Sequence, residues 1–232
     1  MLDTLRAKPV KENLIIDGII ELRKNQPILI CEKNNSHKMC IYEEKEKESC
    51  LISSTFTDES CAMIGKEFHL NFLSDPKRVD ISYYYFSVNG QARVYLYDMK
   101  KTFAGIDVLI KLIEQWKSSI IDAEFCVNKL DGYAISSCSD IHIGVITEEN
   151  AVERRKRELQ PILHPEPLAD GIPEYLRKKR QASDAIRISQ EKVLNGFDEG
   201  KVTICGITYE YDVRLFNDKK HEMLFVDGVL KK

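Results

Sequence analysis

Apolar residues recur along this chain with two periods, and the switches between them mark its elements. In residues 11–25, KENLIIDGIIELRKN, the positions Leu14, Ile15, Ile19, Ile20 and Leu22 fall at near-helical spacing, which predicts an amphipathic helix that Pro27 ends. PILICEK (27–33), HKMCIYEEK (37–45) and ESCLISS (48–54) are short apolar segments between polar turns, the pattern of a small antiparallel meander. CAMIGKEFHLNF (61–72) fits a short helix or an extended segment. VDISYYYFSV and QARVYLYDMK then predict a β-hairpin, because Asn89-Gly90 between them is a strong turn signal.

From residue 106 to 130 the apolar positions 106, 109, 110, 113, 116, 120, 123, 127 and 130 form one broad helical stripe. IHIGVIT (141–147) is β-branched and suits a buried strand. Residues 150–172 combine the charge run ERRKRE with Pro161, Pro165 and Pro167, which predicts an irregular surface connection. A helix with a basic face follows, opened by Pro173 and closed before Gly196. KVTICGITYEYDVRLF and HEMLFVDGVL predict two or three further strands. The order implies a mixed α/β (α+β) fold, a central mixed sheet flanked by helices. An N-terminal helix and meander (1–57) and a C-terminal basic helix with strands (151–232) would extend a core at 58–150, all in one compact domain.

Composition narrows the function classes. The 232 residues carry a net charge of −3, so this is not a generally basic nucleic-acid binder and any such binding must be local. No apolar stretch approaches the roughly 20 residues of a membrane span, and the first residues lack a signal-peptide h-region, so a cytoplasmic location is expected. Seven cysteines, an odd number with no C-x-x-C pair, predict free thiols rather than a disulfide or zinc framework. The chain has no phosphate-binding G-x-x-x-x-G-K-[ST] loop and no G-x-S-x-G elbow.

The chemistry concentrates in the hairpin. Asp80 heads its first arm, and Asp98-Met99-Lys100 ends its second. Alternation along RVYLYDMKK puts Val94, Leu96, Asp98 and Lys100 on one face, and the turn midway between Asp80 and Asp98 brings the two carboxylates face to face. Directly opposed carboxylates repel unless a cation or a raised pKa relieves them. Mg²⁺, which takes one or two carboxylates with water and phosphate oxygens, fits such a pair, with Lys100 placed to orient or deprotonate an attacking water.

On these residues, and on the order strand, strand, helix, strand, the chain between about residues 58 and 147 resembles the PD-(D/E)xK nuclease superfamily, the fold of many restriction, repair and phage-defence endonucleases. The resemblance implies a restriction-endonuclease-like core that hydrolyses nucleic acid, DNA favoured, with Mg²⁺ or Mn²⁺ as cofactor. It implies metal binding by Asp80, Asp98 and the Met99 carbonyl, catalysis by Lys100, an additional acid in Glu67 and a supporting Gln115. Val79 stands where the family often has proline, and Asp98 where glutamate is commoner.

Arg154, Arg155, Lys156 and Arg157, and Arg177, Lys178, Lys179 and Arg180, are either phosphate-backbone contacts or solvated helix faces. Tyr83, Tyr84, Tyr85, Tyr95 and Tyr97 suit strand packing better than base stacking. His69 lies close enough in sequence to Glu67 to act as a base or ligand, while His142 alternates with the apolar residues of its strand. The rival expectation is a non-catalytic interaction protein with a degenerate nuclease-like fold, binding a protein or nucleic-acid partner or a second copy of itself.

Overall fold

The computed structural model describes residues 19–22, 28–31, 49–56, 60–65, 77–128, 140–163, 173–216 and 220–231. Their elements run β1 (Ile19–Leu22), β2 (Ile28–Cys31), β3 (Ser49–Thr55), β4 (Cys61–Gly65), β5 (Ile81–Phe86), β6 (Ala92–Phe103), α1 (Ile106–Asn128), β7 (Ile141–Asn150), α2 (Val152–Leu163), α3 (Glu174–Asp198), β8 (Lys201–Ile204), β9 (Ile207–Leu215), β10 (Lys220–Val226) and β11 (Val229–Leu230). A seven-stranded sheet has the order β1-β4-β5-β6-β7-β9-β8, and a four-stranded sheet the order β11-β10-β3-β2. Both are mixed: β6, β7 and β9 run parallel in the first, β10 and β3 in the second. The fold is the mixed α/β class that the pattern predicts. The segments interlock, since β1 joins the large sheet and β10 pairs with β3.

Each face of the large sheet has its own core. One face meets the helices through Val94, Leu96, Leu109, Leu112, Trp116, Val145, Leu159 and Phe197. The other meets the small sheet through Tyr83, Tyr95, Tyr97, Met99, Ile146, Ile52 and Phe225. Aromatic residues suit this second, sheet-on-sheet layer: Tyr83 stacks on Phe225 at 3.7 Å between ring centroids, and Tyr85, Tyr95 and Tyr97 are buried with it, while Tyr84 is buried on the helix side. Among the described residues no helix is long and apolar enough to cross a membrane. Cys50, Cys61 and Cys126 are buried free thiols, and Cys205 is an exposed one.

Four expectations are corrected. Ile19–Leu22, read within a helix, form an edge strand antiparallel to β4. Adjacent β-branched residues after Gly18 suit a strand, and the ladder of β4 supplies partners that a local period cannot reveal. The connection read at 150–172 is helical as far as Leu163, so Pro161, expected to exclude regular structure, lies in α2 together with the charge run at 153–158. Its charges support the helix through Glu153–Arg157, Arg154–Glu158 and Arg155–Glu158 pairs, while Val152 and Leu159 are buried. Gly196 lies inside α3, where a Cβ would press on the Lys201 carbonyl oxygen at 2.8 Å; the left-handed glycine past the end is Gly200, at φ +73°. The C-terminus supplies four strands rather than two or three. Residues 37–45 of the expected meander lie outside the described residues.

The hairpin turn sets the register on which the candidate site depends. Ser87 N–H donates to the Gln91 carbonyl at 2.9 Å and Gly90 N–H to the Ser87 carbonyl at 3.2 Å, with Gly90 at φ +79°. The loop is thus Val88–Gly90, centred on Asn89, and it pairs Phe86 with Ala92 and Ile81 with Tyr97. A two-residue Asn89-Gly90 loop would instead have set Asp80 against Met99, one position out.

Tyr97, Gly144 and Asp212 form one row across β6, β7 and β9. The Tyr97 ring crosses the bare Cα of Gly144 and its hydroxyl donates to Asp212 Oδ2 at 3.0 Å. A Cβ at Gly144 would overlap that ring. Gly144→Ala is therefore expected to destabilise the protein by about 1–3 kcal/mol, read as a lower midpoint in urea unfolding.

Candidate active site

Continuing the β5–β6 register one step past Ile81 and Tyr97 places Asp80 opposite Asp98. The Met99 amide points at β5 and donates to Asp80 Oδ2 at 2.7 Å. Odd-numbered residues of β6 therefore bond toward β5, and Asp80 and Asp98 form the non-hydrogen-bonded kind of pair, whose side chains are closest. Because a strand residue sends its N–H and C=O to the same edge, the Met99 carbonyl faces the Asp80 side as well. Asp98 is fully buried, Asp80 half-buried, and Lys100, on the same face of β6, forms an ion pair with Asp98 Oδ2.

Helix α1 closes this cluster from above. Gln115 Nε2 donates both to Asp98 Oδ1 at 3.1 Å and to the Arg78 carbonyl at 2.8 Å. One turn further, Ser119 Oγ accepts from the Val79 amide at 3.1 Å. The next turn brings Asp122, which forms a buried ion pair with Arg78 through Nε and, at 3.3 Å, Nη2. Lys77 pairs with Glu114 at the surface. Gln115, Ser119 and Asp122 thus make a polar row along the buried side of α1, beside the apolar residues Leu112, Trp116 and Ala123.

The electrostatics are unbalanced. Burial pushes the Asp80 carboxyl well above the usual carboxylate range, and the neighbouring Asp98 charge and hydrogen bond push it further. The Lys100 ammonium and the Met99 amide oppose that rise. At a separation of about 5 Å and an effective dielectric of about 20, two carboxylates repel by about 3 kcal/mol. Lys100 neutralises one negative charge, the Arg78–Asp122 pair is internally neutral, and among the described residues one surplus negative charge remains. A proton on Asp80 or a bound cation removes it.

The donor set tells which cations suit. Among the described residues no group of three or more His, Cys, Asp or Glu side chains is placed to hold a metal; the oxygens that these residues bring to this point are the two carboxylates, the Met99 carbonyl and Gln115 Oε1. That hard, all-oxygen set fits Mg²⁺ or Mn²⁺, which keep several positions for water and phosphate. Gln115 Oε1 is buried with no hydrogen-bond partner, a spare acceptor beside the pair.

Of the residues singled out in the sequence, Asp80, Asp98, Met99, Lys100 and Gln115 come together at this point. Glu67 and His69 lie outside the described residues. His142 stacks on Tyr95 at 4.4 Å between ring centroids, and burial together with the Arg93 charge lowers its pKa. The basic runs lie elsewhere. Arg154 pairs with Glu149 and Glu158, Arg155 with Glu158, Arg157 with Glu153 and Lys156 with Asp198. Lys178 pairs with Glu174 and Arg180 with Asp184, while Arg177 and Lys179 are exposed on the first half of α3.

Arg78, Ser119 and Asp122 were not identified from sequence. Their signal was polar residues at positions 115, 119 and 122, a spacing that repeats along one helix face within the apolar pattern. Comparison of the chain with protein-family models, with curated proteins and with solved structures gives no match.

A carboxyl whose folded-state pKa lies above its unfolded value of about 3.9 stabilises the fold only while protonated. Stability from Asp80 is therefore full below about pH 4 and is lost as the pH rises through the folded-state value. In EDTA at pH 8, Asp80→Asn, which keeps an acceptor for the Met99 amide, is expected to melt higher than the parent. The gain is bounded by the pair repulsion of about 3 kcal/mol. A variant that melts lower at pH 8, or that matches the parent at every pH, would remove the repulsive pair from this account.

Proposed function

We propose that the chain is a divalent-metal-dependent phosphodiesterase that cuts nucleic acid, DNA favoured. One observation carries this: Asp80, Asp98, the Met99 backbone, Lys100 and Gln115 converge although they come from two strands and a helix. The element order supports it, because β5 and β6 lead through α1 into β7, parallel to β6, the strand, strand, helix, strand order on which the PD-(D/E)xK resemblance rests.

Asp80, Asp98 and the Met99 carbonyl would hold the cation. When bound, it supplies Lewis-acid charge to the phosphoryl group and the attacking water. Lys100 presents an ammonium at the rim, 18% exposed, where it neutralises charge developing on the phosphate or holds the water by a hydrogen bond. Gln115 keeps the Asp98 carboxylate turned toward Asp80, and burial beneath α1 excludes bulk water and strengthens each of these interactions. Exposed Arg177 and Lys179 would add sequence-independent phosphate contacts.

A second reading, a non-catalytic interaction protein, rests on α3. None of its described residues before Leu194 is buried, and Tyr175, Leu176, Ile186 and Ile188 are exposed there, which suits a protein partner or a second copy.

A thermal melt with Mn²⁺ separates the two. Binding at 100 times Kd stabilises by about 2.7 kcal/mol, a rise of about 5–11 °C for a chain of this size. Asp98→Asn should abolish the rise. Lys100→Ala should still bind Mn²⁺ yet cut DNA at least about 100-fold more slowly. Cutting at the parent's rate by folded Lys100→Ala would end the nuclease assignment, and no Mn²⁺ shift in the parent would favour the interaction protein.

A further inference from the structure

Asp80 lies one residue ahead of β5, and among the described residues no strand partner fixes its backbone. What fixes it is α1. Each of the three residues before it is tied to that helix: Lys77 to Glu114, Arg78 to Asp122 through its side chain and to Gln115 through its carbonyl, and Val79 to Ser119 through its amide. Gln115 uses the same Nε2 to reach Asp98, so one side chain spans both halves of the carboxylate pair.

The chemistry of the Arg78–Asp122 pair argues for a directional task. Both groups are nearly fully buried, at 5% and 1% exposure, where an apolar pair of similar volume would hold helix and strand at least as well. A planar guanidinium against a carboxylate adds what apolar contact lacks, a fixed distance and angle. The segment between this pair and the ladder is Val79 and Asp80, too short to turn independently of its two anchors.

We infer that Arg78, Ser119 and Asp122 are positioning residues, a clamp on α1 that holds the Asp80 carboxylate against Asp98 and the Met99 amide. The purpose of the clamp rests on the nuclease reading, whereas its geometry does not. In this role α1 does more than cover the sheet: it sets the spacing of the carboxylates, in the way that groups behind a metal ligand orient it.

The test uses Arg78→Met with Asp122→Leu, a size-matched apolar replacement expected to fold, and Ser119→Ala as the milder variant. Amide hydrogen exchange is followed by NMR in the metal-free full chain, and Mn²⁺ is then titrated. In the double variant the Met99 amide, whose acceptor is Asp80 Oδ2, should exchange about tenfold faster or more, while the Tyr95 and Ile143 amides keep the parent's rates. Mn²⁺ affinity should fall by about 10- to 100-fold. Ser119→Ala should move both readouts the same way by a smaller factor, and it decides the matter alone if the double variant does not fold. Parental protection of Met99 in the folded variants, or faster exchange spread evenly over all three amides, would overturn the clamp. A parent that binds no Mn²⁺ sinks the nuclease reading instead, and the exchange data still decide the clamp.

Discussion

Two carboxylates held side by side at the meeting of a hairpin and a helix are the constraint around which the helical side of this molecule is organised. Asp80 and Asp98 occupy the closest kind of cross-strand pair, and one of them is fully buried. Left alone, they would push the hairpin arms apart. Lys100, the Met99 amide and Gln115 each offset part of that repulsion, and the Arg78–Asp122 pair anchors the strand without adding net charge. The surplus negative charge is the reason a hard divalent cation belongs in the proposed chemistry.

The layered architecture keeps this polar cluster apart from the aromatic core. Alternation along β6 sends Tyr95, Tyr97 and Met99 toward the small sheet and Val94, Leu96, Asp98 and Lys100 toward α1. The sheet-on-sheet layer packs aromatic and aliphatic side chains against β5 and β6 from behind. On the other face α1 has two roles along one buried side: Leu109, Leu112, Trp116, Ala123 and Val127 pack, while Gln115, Ser119 and Asp122 bond. A site built on strands and a helix in this way holds its geometry better than one built on loops.

Much of this was legible in the residues. The hairpin, α1 and β7 follow from long, consistent periods, and the shared face of Asp98 and Lys100 follows from alternation alone. What was misread had short or conflicting local signals. Ile19–Leu22 are four residues whose apolar spacing suits either structure until β4 lies beside them. Pro161 read as part of an irregular connection, but the helix that the i,i+4 charge pairs support runs past it to Leu163. Gly196 read as a stop, but its reason for being glycine is the Lys201 carbonyl, which only the turn into β8 brings near.

By itself the sequence determined the class of fold, the two faces of β6 and the approach of Asp80 to Asp98, because these follow from side-chain period and from a turn near the middle of one hairpin. The tertiary structure decided the rest. It selected the three-residue loop that sets the pair in register, seated Arg78 on Asp122 and Val79 on Ser119 across 44 and 40 residues of chain, and buried Asp98 under Gln115. Such contacts depend on where α1 comes to rest on the sheet. That is set by the packing of Trp116, Leu112 and Phe197, a sum over many distant residues that no local pattern encodes.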